Sequence, residues 1–161
     1  DLLKNRAGLM LGICNGFQIL CEAGLLPGVL LENNNQQFIC KNVFLRADNN
    51  ASRINATVPI GHALKIPIAH GEGRYYADDA TLKQLIANNQ VIFSYCDDHG
   101  NVTDTANPNG SMHNIAGVCN AGRNVFGMMP HPERASEEIL GNTDGRMIFE
   151  SFLALTATSA R

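Results

Sequence analysis

Apolar residues near the start of the chain form a short run followed by a helical periodicity. Leu9 to Ile13 is continuously apolar, and its length is typical of a buried parallel strand. Asn15 to Ala23 carries its apolar residues at helical spacing, Gly24 can cap its end, and Pro27 prevents continuation. The first predicted elements are therefore a strand and a helix that follows it directly.

Further along, predicted strands are interleaved with two more helices. Asp78 or Asp79 can cap a helix that continues to about Asn88, and Asp144 can cap the last helix. The last two of the further predicted strands form a hairpin with a glycine-containing loop. These strands are Phe38–Leu45, Leu64–Ala69, Val91–Tyr95, Ile115–Cys119 and Val125–Met129. We find no repeat or linker, so residues 1–161 are predicted to form a single α/β domain with a mixed sheet.

Composition excludes several classes of protein. The 161 residues are 45% hydrophobic and 17% charged, which is enough apolar material for a core. A net charge of -3 argues against a protein that binds the nucleic-acid backbone. The longest uncharged stretch, Ala7 to Cys21, is too short to cross a bilayer, and no secretory signal pattern precedes it. The five cysteines contain no C-x-x-C pair, which disfavours a disulfide framework or metal site and favours a reducing, cytoplasmic setting.

The segment around Cys14 carries the most chemical information. Gly12-x-Cys14-x-Gly16 is the nucleophile-elbow pattern G-x-S-x-G with sulfur in place of the hydroxyl, between the required strand and helix. Such an elbow reverses sharply at the nucleophile, and we expect both glycines to relieve crowding between strand and helix. The alternative is an inert buried cysteine in a tight turn. The other cysteines are expected to be small buried hydrophobic residues.

The elbow places Cys14 at a helix N-terminus, where free N–H groups and the helix dipole favour an anion. We therefore expect a lowered thiol pKa and a stabilised thiolate. The backbone N–H of Asn15 is expected to point toward the place where an oxyanion would form beside the sulfur.

A base and an orienting carboxylate are predicted in Met129-Pro-His-Pro-Glu-Arg134. Its two prolines are expected to hold the segment extended, so that His131 and Glu133 point to the same side. Glu133 could then bind one imidazole nitrogen while the other faces the Cys14 thiol at close to hydrogen-bond distance. An ordinary turn, with Glu133 paired to Arg134, is the alternative.

Two further segments stand out. The His70-Gly71-Glu72-Gly73 sequence ends a predicted strand and could form a substrate-binding loop or only a hairpin turn. Asn107 to Ser111 is a strong turn sequence.

Four motifs in order, LGICNGFQ, PIAHGEGRYY, ANPNGS and MMPHPER, resemble the class I glutamine amidotransferase domain. The residues of these motifs resemble those of the glutaminase subunits that serve the purine-pathway synthesis of formylglycinamidine ribonucleotide. The resemblance implies a three-layer α/β sandwich with a mixed, mostly parallel sheet. It also implies that βα units precede the elbow in the family and supply a second oxyanion donor. We therefore expect residues 1–161 to be the C-terminal portion of such a domain.

The resemblance also implies roles for individual residues. Cys14 would attack glutamine and form a γ-glutamyl thioester, His131 would move protons, and Glu133 would orient His131. Gln18 would help to hold glutamine, and the loop of His70, Gly71 and Gly73 would border the pocket or a partner.

Ammonia would pass to a large synthetase subunit that binds ATP and Mg, and a small third subunit would complete the assembly. No cofactor is implied for this chain itself. The alternatives left open are a glutaminase for a different ligase, another hydrolase with a cysteine elbow, and a non-catalytic docking subunit or fragment.

Overall fold

The computed structural model describes residues 8–156, except for the side chains of residues 155 and 156. Three α-helices are present in this range: α1 (Asn15–Glu22), α2 (Asp79–Ala87) and α3 (Arg146–Thr156). The strands, in chain order, are β1 (Met10–Ile13), β2 (Val29–Glu32), β3 (Ile39–Ala47), β4 (Ala63–His70), β5 (Glu72–Tyr76), β6 (Val91–Cys96), β7 (Ile115–Cys119) and β8 (Val125–Met128). Within residues 8–156, none of the helices combines the length and apolar character that crossing a bilayer requires.

Six strands form one sheet in the order β1-β8-β7-β6-β3-β4. The sheet is mixed, as predicted, because β1 runs parallel to β8 while the other neighbouring pairs are antiparallel. The expected parallel majority is not found among the described strands. The physical reason is connectivity: a hairpin such as β7–β8 makes neighbours antiparallel, whereas parallel neighbours need a long crossover.

Helices pack on both faces of this sheet and give the predicted three layers. Phe17 of α1 and Leu82 of α2 belong to one buried cluster, which includes Val125 of β8. On the opposite face, Phe126 of β8 meets Phe152 of α3 edge to face, with ring centroids 5.8 Å apart. Successive β8 side chains therefore enter different cores, and β7 and β8 are buried throughout.

The structure also differs from the sequence-based prediction in local detail. A two-stranded ribbon of β2 and β5 was not predicted, because β2 is only four residues long and charged residues interrupt β5. Asp78 caps α2 as expected, with its carboxylate accepting from Thr81 N at 2.8 Å. Asp144 instead accepts from Lys65 N at 2.8 Å, and α3 begins two residues later.

Only one of the two elbow glycines is sterically required. A Cβ on Gly12 would lie 2.6 Å from the backbone of Gly16, closer than real contacts allow, whereas a Cβ on Gly16 would meet no described atom within 4 Å. The close approach of strand and helix therefore depends on Gly12, and the expectation for Gly16 is wrong.

This asymmetry predicts opposite effects of two alanine substitutions. Gly12→Ala should lower the free energy of unfolding of the full-length protein by about 1–3 kcal/mol, because the added methyl group overpacks the elbow. Gly16→Ala should leave it unchanged or raise it by up to about 1 kcal/mol, because alanine favours helix. Urea denaturation measures both, and equal losses would contradict the assignment.

Candidate active site

Cys14 lies at the sharp reversal between β1 and α1. Its backbone has φ 53° and ψ −109°, a positive φ that non-glycine residues rarely adopt. The Cys14 N–H donates to Met128 O at 2.8 Å, which ties the reversal to the neighbouring strand β8. The predicted elbow is therefore formed, and it leaves Cys14 partly exposed.

His131 reaches the same edge of the sheet because β1 and β8 are parallel neighbours. Ile13 pairs with Met128, so both strands end side by side, and the residues that follow them emerge together. The His131 N–H donates to Pro67 O at 2.8 Å, and His131 Nδ1 lies 2.6 Å from Glu133 Oε1. The segment is not extended as expected: Pro132–Ala135 forms a short 3-10 turn, and Glu133 reaches the imidazole across that turn.

The second imidazole nitrogen of His131 is buried and has no hydrogen-bond partner in residues 8–156. The Cys14 thiol makes a weak contact with Ala69 O at 3.8 Å. The expected hydrogen bond between Cys14 and His131 is therefore not formed in this structure. Cys14 nevertheless experiences the charges of both Glu133 and Arg134, so the turn after β8 lies within electrostatic range of the sulfur.

The pKa of the Cys14 thiol is raised, contrary to the expectation of a lowered value. Burial is the largest cause, because it removes water from the thiolate. The Asn15 backbone N–H and the Arg134 guanidinium both lower the pKa, while the Glu133 carboxylate raises it. The helix N-terminus thus acts in the predicted direction, but desolvation outweighs it.

A pocket of about 340 Å³ opens over the thiol. Its lining residues are Cys14, Gln18, His70, Gly71 and Glu72. Gln18 Nε2 donates to the backbone oxygen of Glu72 at 2.8 Å, which joins α1 to the start of β5. Three of the residues predicted to bind substrate, Gln18, His70 and Gly71, therefore lie beside the sulfur.

Gly73 has a different position from the other predicted substrate-binding residues. It is absent from the pocket lining, and a Cβ there would lie 2.3 Å from the His70 ring. Asn33, which sequence analysis did not single out, holds both residues: its Oδ1 accepts from Gly73 N at 3.2 Å and lies 3.1 Å from His70 Nδ1. One asparagine within a run of asparagines gives no sequence signal for such a long-range role.

Two remaining predictions concern cysteines and metals. Cys21, Cys96 and Cys119 are buried as expected, but Cys40 is exposed on β3, so that expectation is wrong for Cys40. In the described part of the chain, no group of three or more histidine, cysteine or acidic residues is arranged to hold a metal ion.

Comparison with known proteins identifies the family. The model of the CobB/CobQ-like glutamine amidotransferase domain matches residues 1–148. The chain belongs to this family, and the resemblance to class I glutamine amidotransferases is confirmed.

The particular relatives are subunits of one synthase. The chain is 58% identical over 146 residues to phosphoribosylformylglycinamidine synthase subunit PurQ of Moorella thermoacetica, covering 91% of this chain and 62% of the relative. It is 54% identical over 149 residues to the same subunit of Gloeobacter violaceus, covering 92% and 64%. The chain thus spans somewhat less than two thirds of the length of these relatives.

Solved structures agree with the fold. The structure of PurLQS from Thermotoga maritima superposes with a TM-score of 0.80 at 44% identity, covering 95% of this chain and 64% of that chain. A putative GMP synthase component from Thermoplasma acidophilum has a TM-score of 0.59 at 15% identity, covering 98% and 62%, which supports the fold alone.

The raised thiol pKa predicts how Cys14 reacts in the absence of ligand. Alkylation by iodoacetamide should increase with pH through a pKa above the ordinary thiol value, because only the thiolate reacts. Arg134→Met should raise that pKa further, since it removes a nearby positive charge. Lys83→Met, on the exposed side of α2, is the control and should leave the profile unchanged. Mass spectrometry of the Cys14 peptide measures the rate, and a lower pKa in Arg134→Met would contradict the electrostatic account.

Proposed function

We propose that this chain is part of a glutaminase subunit of phosphoribosylformylglycinamidine synthase. In this role it hydrolyses glutamine and delivers ammonia to a synthetase that converts formylglycinamide ribonucleotide to formylglycinamidine ribonucleotide. Membership of the amidotransferase family and 54–58% identity to subunits of that synthase support the proposal. Its main structural support is the β1–β8 pairing, which brings the Cys14 elbow and the His131–Glu133 pair to one edge of the sheet.

The proposed reaction begins with a neutral thiol. Cys14 Sγ attacks the side-chain carbonyl carbon of glutamine while its proton passes to His131 Nε2. The hydrogen bond between His131 Nδ1 and the Glu133 carboxylate leaves Nε2 with a lone pair and stabilises the imidazolium that forms. The Asn15 backbone N–H faces the oxyanion.

Collapse of the tetrahedral intermediate releases ammonia. The carbon–nitrogen bond breaks, His131 Nε2 returns its proton to the leaving nitrogen, and a γ-glutamyl thioester remains on Cys14. Water then attacks the thioester carbonyl and gives a proton to Nε2. The carbon–sulfur bond breaks, glutamate leaves, and Cys14 regains the proton.

The pocket has the size and lining for a small polar substrate. Its volume of about 340 Å³ lies at the lower end of the range for small-molecule sites. Gln18 and the His70–Gly71 segment line it and are proposed to hold glutamine. Gly73 supports this wall indirectly, because its lack of a side chain leaves room for the His70 ring.

The proposed assembly follows the relatives. The Thermotoga maritima neighbour is described as PurLQS, which supports a complex with a synthetase and with a small third chain. ATP and Mg would bind to the synthetase, and this chain would carry no cofactor of its own. A cytoplasmic location would accompany a purine-pathway role.

Replacing the nucleophile provides the principal test. In the full-length protein assembled with its synthetase, Cys14→Ser should abolish glutamine-dependent synthesis and preserve synthesis from added ammonium salt. Cys40→Ser removes an exposed thiol on β3 and should preserve both activities. Loss of both activities in Cys14→Ser, or retention of both, would contradict the proposal. If another ligase copurifies and uses the ammonia instead, the amidotransferase chemistry stands and the acceptor assignment fails.

The proton-transfer role of His131 makes a separate prediction. His131→Gln should lower kcat for glutamine hydrolysis by about 10²- to 10⁴-fold, the usual contribution of a general acid–base group. The exposed His99→Gln substitution is the control and should have little effect. Steady-state glutamate release measures both variants, and a His131→Gln enzyme within about threefold of wild type would exclude this role.

A further inference from the structure

Asn33 connects the turn after β2 to the wall of the active-site pocket. It is 1% exposed, and its backbone N–H donates to Gly71 O at 2.8 Å. Its Nδ2 donates to Gln37 O and His70 O, both at 2.8 Å. Its Oδ1 accepts from Gly73 N at 3.2 Å and lies 3.1 Å from His70 Nδ1. One buried side chain therefore determines both the path of the loop and the setting of the His70 ring.

This network fixes the tautomer of His70. If the Asn33 amide were turned over, its oxygen would face the two carbonyl oxygens that now accept from Nδ2, and its NH₂ group would face the Gly73 N–H. The amide oxygen must therefore face His70 Nδ1, and Nδ1 must donate the proton to it. The proton of the neutral ring is on Nδ1, and Nε2 carries a lone pair.

The surroundings keep this ring neutral. His70 is 4% exposed, and burial lowers the pKa of His70 to about 4. The charge of His131 acts in the same direction, while the backbone contact of His70 opposes it. Cys14 and Glu72 are the other ionisable groups that line the same pocket. At neutral pH the ring is therefore an uncharged neighbour of His131.

Among the described residues, neither His70 Nε2 nor His131 Nε2 has a hydrogen-bond partner. An unpaired buried acceptor destabilises the folded chain, so its retention calls for a functional reason. In the proposed reaction His131 becomes positively charged when it takes the Cys14 proton. A second positive ring nearby would oppose that charge, whereas a neutral ring with a free lone pair would not.

We infer that Asn33 is a positioning residue for the general base: by holding the His70 proton on Nδ1, it leaves His70 Nε2 with a lone pair, rather than an N–H, while the neighbouring His131 accepts the Cys14 proton. This inference rests on the proposed function, because it concerns the charged state of His131 during glutamine hydrolysis. It assigns to His70 an electrostatic role that requires no direct contact with glutamine.

Asn33→Asp tests the inference with an almost isosteric change. The carboxylate can still accept from His70 Nδ1 and Gly73 N, but its negative charge should raise the pKa of His70. Below the new pKa the ring is positive, and Nε2 carries a proton in place of its lone pair. The ratio of wild-type to variant kcat for glutamate release should therefore grow by about tenfold per pH unit below that pKa and level off above it.

The control separates this effect from simple loss of structure. Asn35→Asp adds the same charge to the same turn, where the exposed Asn35 side chain accepts from Gln37 N at 3.1 Å and does not bind His70. Its pH profile should match that of wild type. Asn33→Asp also removes two donated hydrogen bonds, which would lower activity by a factor independent of pH. A pH-independent ratio in an active complex would thus overturn the role of Asn33.

A direct measurement on the wild-type protein covers the case in which Asn33→Asp does not fold. Nitrogen-15 NMR of the histidine rings in the full-length complex should show the Nδ1–H tautomer of His70 between pH 5 and pH 8. A proton on Nε2, or a charged ring in this range, would overturn the inference. A wild-type complex that releases no glutamate would instead overturn the proposed function, whatever the tautomer.

Discussion

The parallel pairing of β1 with β8 is the constraint on which the site depends. Cys14 follows the short strand β1 and His131 follows the short strand β8, so neither strand alone supplies both side chains. Because Ile13 pairs with Met128 and Cys14 N–H donates to Met128 O, the end of one strand is held against the end of the other. The sulfur and the imidazole are more than a hundred positions apart in sequence, and this local hydrogen bonding brings their segments together.

The pKa of the Cys14 thiol is set by opposing effects. An elbow at a helix N-terminus offers positive partial charge, and Arg134 adds a full charge nearby. Burial nevertheless dominates and keeps the thiol protonated at neutral pH. In the proposed reaction, the proton would therefore be removed at the moment of attack, and a thiolate would not exist beforehand. Such a thiol is less exposed to adventitious oxidation and alkylation, because the reactive form is scarce until a base takes its proton.

Much of this organisation could be predicted from sequence, because it depends on local patterns. The strand, elbow and helix around Cys14 follow from an apolar run and two glycines, and the hairpin of β7 and β8 follows from two apolar runs separated by a glycine-containing loop. The pairing of His131 with Glu133 was predicted as well, although through an extended chain rather than a 3-10 turn. In each case the determining residues lie within a few positions of one another.

The features that escaped prediction depend on tertiary context. The direction of the shift in the Cys14 pKa is set by the balance of burial against nearby charges. Burial cannot be predicted from the residues that are adjacent in sequence. The roles of Asn33 and of Gly73 depend on the His70 ring, which packs between them only in the folded chain. The ribbon of β2 and β5 was missed because β2 is only four residues long and β5 begins with Glu72-Gly-Arg74, so neither strand shows a clear apolar alternation.

The bond between Gln18 Nε2 and Glu72 O has a consequence for recognition. This amide already donates to Glu72 O, so a molecule that engages it must replace an existing hydrogen bond, worth about 0.5–1.5 kcal/mol. Molecules that bring an acceptor of their own recover that loss, and purely apolar molecules gain nothing from the exchange. The pocket therefore favours molecules that carry a hydrogen-bond acceptor over purely apolar ones.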